Sequence, residues 1–276
     1  MPKIAVLQMT SGIDPEANFA VIANAAEEAA AKGAKVLFTP EMAPLLDRDR
    51  KRAGPWIASA APHSLGDKFA DIADSNGIDI AIGSMPVGAS NGKFANRSCY
   101  WTEGGGGPVT YDKMHMFDVE LATGETWRES SAYEAGEWVV TLDETPVGRL
   151  GFSICYDMRF PALFEALGQR QCDAIAVPAA FTKPTGEAHW HVLLRARAIE
   201  AQAFVIAAAQ VGKHEDGRET YGHSLVVDPW GEVLLDMGGD EPGLGFCDID
   251  LGRIAEVRAQ IPSLANRREI TNYSEQ

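Results

Sequence analysis

Gly151-Phe-Ser-Ile-Cys-Tyr-Asp-Met-Arg-Phe-Pro161 changes character at its centre. Up to Ile154 it is an apolar run of strand type; from Tyr156 it turns polar and ends on a proline that suits a first helical turn. Cys155 therefore stands at a strand-to-helix turn. There its sulfur is expected to be exposed, near helix N-terminal N–H groups that favour a thiolate over a thiol. This makes Cys155 a candidate nucleophile. Taken alone, the segment leaves open a second reading, a small buried hydrophobe.

The same alternation extends on both sides. Residues 3–9 read as a strand, and Asp14-Pro15-Glu16 supplies an N-cap, an N1 proline and an acidic first turn for a helix that Gly33 closes. Residues 35–39 form a second strand running into Pro40-Glu41, followed by a helix around 64–76 and strands at 78–85 and 95–102. The glycine run 104–107 lacks the Lys-Ser/Thr of a phosphate loop and reads as a hairpin tip. Beyond it the pattern predicts strands at 137–142 and 147–154, a helix at 161–171, a strand at 173–178, a helix at 187–202 and a strand at 203–210. A hairpin over Tyr221–Leu235, turning at Asp228-Pro-Trp-Gly231, a strand at 244–250 and a helix at 251–260 follow. No repeat or linker interrupts residues 1–276, so one domain of helix-covered sheets is expected.

Composition narrows the function classes. A net charge of −15 without a basic stripe argues against nucleic-acid binding. The four cysteines are too dispersed for a disulfide scaffold or a Cys-x-x-Cys metal site, and read as free thiols. The chain enters strand-like sequence at once and holds no run of about 18 apolar residues. A cytoplasmic protein with no membrane partner is expected.

A cysteine hydrolase needs a nucleophilic sulfur, a group to move protons, and positive charge or N–H donors aimed at an oxyanion. Among the six histidines, His115, His189, His191 and His223 lie in partly apolar context, and no spacing selects one as the base. A Cys–His pair therefore stays open. A second set is Glu41, Lys113 and Cys155, each ending or following a strand-like segment, where loop residues converge at a sheet edge. Individually, Glu41 could be a solvated carboxylate and Lys113 half of a surface ion pair.

Thr39-Pro40-Glu41, Tyr111-Asp-Lys113 and Gly151-Phe-Ser-Ile-Cys155-Tyr-Asp-Met-Arg-Phe-Pro161, in this order, resemble the Glu-Lys-Cys signature of the nitrilase superfamily, the carbon–nitrogen hydrolases. Pro178-Ala-Ala-Phe181, Ala188–Glu200 and Tyr221–Gly231 resemble its Nit branch. The resemblance implies an α+β fold, a four-layer α-β-β-α sandwich. It implies Cys155 as nucleophile, Glu41 as general base and acid, Lys113 as oxyanion stabiliser and the Tyr156 N–H as a second oxyanion donor. A further catalytic-site glutamate is assigned to Glu129, with Glu125 and Glu134 as alternatives. The implied reaction is hydrolysis of a primary carboxamide to carboxylate and ammonia through a thioester, with no metal or organic cofactor. A desolvated pocket is expected to raise the carboxyl pKa of Glu41.

For substrate, the branch resemblance implies a small anionic amide, deaminated glutathione first and the ω-amide of a 2-oxo dicarboxylic acid second. Arg159 and Lys183 are the expected binders of its charge. Met42–Asp47 and Ala162 depart from the branch pattern, at the pocket wall and at the helix after the nucleophile, a surface that such proteins use to form homodimers. Acyl transfer to an amine and a catalytically silent interaction protein of the same fold remain as other readings.

Overall fold

The computed structural model describes residues 1–89, 92–105, 107–120, 124 and 126–268. The chain opens with β1 (Lys3–Gln8), α1 (Pro15–Ala31), β2 (Val36–Phe38), α2 (Arg50–Ile57), α3 (Ala61–Asn76), β3 (Asp79–Gly88), β4 (Phe94–Trp101) and β5 (Val109–Asp112). Two short strands, β6 (Asp118–Glu120) and β7 (Thr126–Arg128), precede β8 (Thr141–Thr145), β9 (Gly148–Phe152), α4 (Pro161–Gln169), β10 (Ala174–Ala176), α5 (Lys183–Ala201) and β11 (Phe204–Ala207). The remainder is β12 (Val211–Lys213), β13 (Glu219–Tyr221), β14 (Leu225–Val227), β15 (Val233–Asp236), β16 (Gly243–Asp248) and α6 (Leu251–Gln260).

Two six-stranded sheets result, in the orders β16-β1-β2-β3-β4-β5 and β15-β14-β11-β10-β9-β8. Each has three parallel strands at its centre, β1 to β3 and β9 to β11, flanked on both sides by antiparallel ones. The sheets thus share one pattern of strand directions although the sequence shows no repeat. Central strands are apolar on both faces, as strands buried between two layers must be. In β1, Ile4 and Val6 join the core shared with the second sheet, whereas Ala5 and Leu7 meet Ile22 and Ala26 of α1 and Phe69 of α3. Leu163 and Phe164 of α4 and Trp190 and Leu194 of α5 cover the other sheet. The expected four-layer α-β-β-α sandwich is the observed one.

Local differences have physical causes. The strand expected at 137–142 runs from Thr141 to Thr145, because the turn is fixed by the Thr145 hydroxyl donating to Gly148 O at 2.6 Å. Trp138 is left outside the strand and exposed. The expected Tyr221–Leu235 hairpin splits: Tyr221 ends β13, paired with β12, and only β14 and β15 turn around Asp228, whose Oδ1 accepts from the Trp230 and Glu232 N–H groups. Of the glycine run, Gly106 lies outside the described residues; its neighbours fall between the antiparallel strands β4 and β5.

Candidate active site

The segments that carry the candidate residues meet above one glycine. A Cβ on Gly83 of β3 would lie 2.1 Å from Thr39 O, 2.4 Å from Pro40 O and 2.5 Å from Pro178 Cβ. Only glycine permits that approach. Thr39-Pro40 leads into Glu41, and Pro178 O accepts the Cys155 N–H at 2.9 Å. Cys155 opens a 3-10 turn, Cys155–Arg159, with φ at 46°, a left-handed conformation that costs a non-glycine residue about 1–2 kcal/mol and here aims its side chain off the end of β9.

Lys113 follows β5 and is buried, 2% exposed. Its Nζ donates to Glu41 Oε1 at 2.9 Å and to Glu129 Oε2 at 2.9 Å and Oε1 at 3.1 Å. The Asn96 amide donates to the same two carboxylates, to Glu41 at 2.9 Å and Glu129 at 3.3 Å. The second oxygen of Glu41 accepts the Ala180 N–H at 2.9 Å, and Glu129 Oε2 accepts the Phe117 N–H at 2.6 Å. One buried and one partly buried carboxylate are thus bridged by one ammonium and well supplied with donors, the condition under which buried charge is tolerated. Of the three glutamates considered after Lys113, Glu129 is the one at the ammonium. Glu134 instead donates its backbone N–H to Phe94 O, and Glu125 lies outside the described residues.

The electrostatics reverse two expectations. Burial pushes the Cys155 thiol well above its usual range, the neighbouring Glu41 charge pushes it further, and Lys113 only partly opposes them. The resting sulfur is therefore a thiol, not a thiolate. Burial also works to raise the Glu41 carboxyl, but the Lys113 charge and the hydrogen bonds from Lys113, Cys155 and Ala180 together outweigh it, and Glu41 sits below the ordinary carboxylate value. Burial opposes the charge on Lys113, yet Glu129 and Glu41 hold its pKa well above the usual one.

A clamp absent from the sequence reading joins the lysine and cysteine segments. Asp157, fully buried, accepts from the Tyr111 hydroxyl at 2.6 Å and the Ile154 N–H at 2.9 Å on one oxygen. Its other oxygen takes the His115 N–H at 3.0 Å and faces the His115 ring at 2.7 Å. The remaining histidines in partly apolar context are committed elsewhere: His189 faces Arg159, while His191 and His223 share Asp236. No described histidine lines the cavity, so the open Cys–His alternative has no geometry here.

The cavity is about 480 Å³, with Glu41, Lys113, Glu129 and Cys155 in its wall together with Phe117, Trp127, Tyr133, Tyr156 and Phe181. Its volume falls in the range of small-molecule sites. Tyr156 therefore lines the cavity as expected, but the two expected charge binders do not. Lys183 opens α5 on the exterior, paired with Glu219 at 3.0 Å. Arg159 lies behind the wall, its guanidinium 5.1 Å from the Phe181 ring centroid. Neither is among the residues that line the cavity, and each has its own partners, Glu219 for Lys183 and the Tyr156 and Phe181 rings for Arg159. The arginines among the lining residues are Arg48, Arg50, Arg128 and Arg218, none of them singled out from the sequence. Asn96 and Asp157 were missed too, although Asp157 stands inside the opening motif.

The carbon–nitrogen hydrolase family model matches residues 3–259. A deaminated glutathione amidase of Yersinia enterocolitica is 38% identical over 275 residues, 98% of this chain and 94% of that protein. The crystal structure of the C. elegans NitFhit protein matches with a TM-score of 0.90 and 36% identity, over 97% of this chain and 65% of that longer one. Saccharomyces cerevisiae Nit3, a member of branch 10 of the nitrilase superfamily, matches with a TM-score of 0.82 and 27% identity, over 95% of this chain and 94% of its own. With its two-sheet sandwich and a buried Glu-Lys-Cys cluster, the chain belongs to the carbon–nitrogen hydrolase family.

Proposed function

We propose that the protein is an amidase in which Cys155 forms an acyl thioester and Glu41 moves every proton. The observation that carries this reading is the Lys113 ammonium bonded to both Glu41 and Glu129 in the wall of the cavity that Cys155 also lines. Glu41, kept ionised, takes the thiol proton as sulfur attacks the amide carbon, so no free thiolate need accumulate. The carbonyl electrons move to oxygen, where Lys113 and the Tyr156 N–H stabilise the charge; as second residue of the 3-10 turn, Tyr156 has no acceptor for its N–H within that turn. Glu41 returns the proton to nitrogen as the C–N bond breaks. It then deprotonates the water that cleaves the thioester, releasing the carboxylate and restoring the thiol. Glu129 positions Lys113 throughout.

The leaving group follows from the substrate: ammonia from a primary carboxamide, an amine from a substituted amide. Deaminated glutathione stands first, supported by the relatives carrying that activity in their name, and an ω-amide of a 2-oxo dicarboxylic acid second. A homodimer fits the exposed apolar side chains Val192 and Ile199 of α5 beside Trp230, Val233 and Leu234 of the β14–β15 hairpin. Four unpaired cysteines support a reducing, cytoplasmic setting, and among the described residues no helix is long and apolar enough to cross a membrane.

The test is turnover of both amides by the unaltered enzyme and by Cys155→Ser and Cys155→Ala. Product release that vanishes in both variants is the expected result. Turnover that survives Cys155→Ala would refute the reading.

A further inference from the structure

Four arginines line the cavity, and their partners separate one from the rest. Arg218 is paired with Asp216 at 2.6 Å, Arg128 with Glu120, and Arg50 donates to Arg128 O at 3.1 Å and Ser131 Oγ at 2.7 Å. The Arg48 guanidinium has no partner among the described residues, although three carboxylates surround it in sequence and space. Asp47 is spent bidentately on Arg52, at 2.6 and 2.8 Å. Asp49 caps α2 through the Lys51 and Arg52 N–H groups. Asp216 accepts the backbone N–H of Arg48 itself at 3.0 Å besides holding Arg218. Asp47 and Asp216 have side chains only 1% exposed, so the loop that carries Arg48 is anchored at both ends. Arg48 is thus an exposed lining residue with its backbone held and its guanidinium left available to a ligand, and guanidinium matches a carboxylate bidentately.

We propose that Arg48 is a specificity-determining residue that selects amides whose acyl chain ends in a carboxylate. The inference rests on the amidase reading above and adds to it the group that reads charge. In a protein of net charge −15 an anionic substrate needs such a local cation. The wall of the same cavity also includes Leu45, Leu46, Phe117 and Tyr156, whose apolar and aromatic surface suits an aliphatic chain. The ligand class is therefore an ω-amide acid, not a neutral amide.

The experiment compares kcat/KM for the monoamide of glutaric acid with that for valeramide, which has a methyl group in place of the carboxylate. The unaltered enzyme should favour the acid. Arg48→Ala should lower the acid-to-neutral ratio about 10- to 100-fold, the worth of a charge-assisted hydrogen bond, with the loss in KM for the acid. Arg48→Lys should fall between, because it keeps the charge and loses the fork. Lys51→Ala, the same charge change three residues on, should leave the ratio within twofold. An Arg48→Ala ratio within threefold of the unaltered one, or no preference for the acid to begin with, overturns the proposal. Turnover of valeramide without such a preference would spare the amidase reading; turnover of neither amide would overturn the Arg48 proposal, and the amidase reading would still be decided by turnover of deaminated glutathione and the 2-oxo ω-amide.

Discussion

Replacing Glu41 with glutamine should slow amide turnover while making the Cys155 thiol easier to ionise. Besides the bond from the Cys155 thiol, the carboxylate accepts from Lys113 and Asn96 on one oxygen and from the Ala180 N–H on the other. A carboxamide offers one oxygen. If it faces Lys113 and Asn96, its NH2 confronts the Ala180 N–H, and a buried donor left unmade costs about 1–3 kcal/mol. Lys113 retains Glu129, so the fold should survive at reduced stability. Turnover should fall about 10²- to 10⁴-fold with the base gone. The thiol, in contrast, loses the negative charge that adds to burial in holding its pKa up, so that pKa should move down. The assay is the pH midpoint of Cys155 alkylation by iodoacetamide, read by peptide mass spectrometry beside amide turnover. A midpoint that rises, or turnover within tenfold of the unaltered enzyme, would refute the coupling of thiol and carboxylate.

Gly83→Ala should lose stability by about 1–3 kcal/mol or more, because the new methyl meets backbone oxygens of Thr39 and Pro40 that cannot yield; a thermal melt within 1 °C of the unaltered protein would contradict this. Asp157→Ala leaves the Tyr111 hydroxyl and the Ile154 and His115 N–H groups without their acceptor and should cost about 3–5 kcal/mol in urea unfolding, with turnover falling further as Lys113 and Cys155 lose their shared clamp. The stabilisation from Glu41, whose pKa is depressed, is present above the ordinary carboxylate value and is lost as pH falls through its lower folded value; that from Lys113, whose pKa is raised, is lost only as pH rises through its higher one. Since the thiol is also raised, kcat/KM should be flat across neutral pH, with no rise near the ordinary thiol pKa; a sigmoidal increase centred between pH 8 and 9 would count against a resting thiol.

The frame of the site was readable because its parts are local. Glu41 and Cys155 follow strands whose apolar runs mark their ends, Lys113 follows the short strand Val109–Asp112, and three short motifs placed them in order. The signs of their pKa shifts were not readable, since they depend on burial and on contacts across the sandwich, such as Glu41 with Ala180, 139 residues away. Arg48 was hidden for a related reason. That its guanidinium is unpaired among the described residues is visible only once Asp216, 168 residues on, is seen to bind its backbone instead of its side chain. Arg159 and Lys183 were chosen for their place in the sequence after Cys155 and after the next strand, whereas the cavity wall takes its arginines from other segments. Helix α2 escaped notice because Gly54-Pro55 interrupts any helical pattern; the Asp49 cap and the small cluster of Leu45, Ala53 and Ile57 hold it instead.

The central claim, an acyl group carried on Cys155, is tested most directly by rapid-quench mass spectrometry of the unaltered enzyme mixed with deaminated glutathione or with an ω-amide acid. A mass increase equal to the acyl group, mapped to the peptide containing Cys155 and decaying at the rate of carboxylate release, is the predicted result. Steady turnover with no adduct at any quench time, or an adduct on another residue, would contradict it.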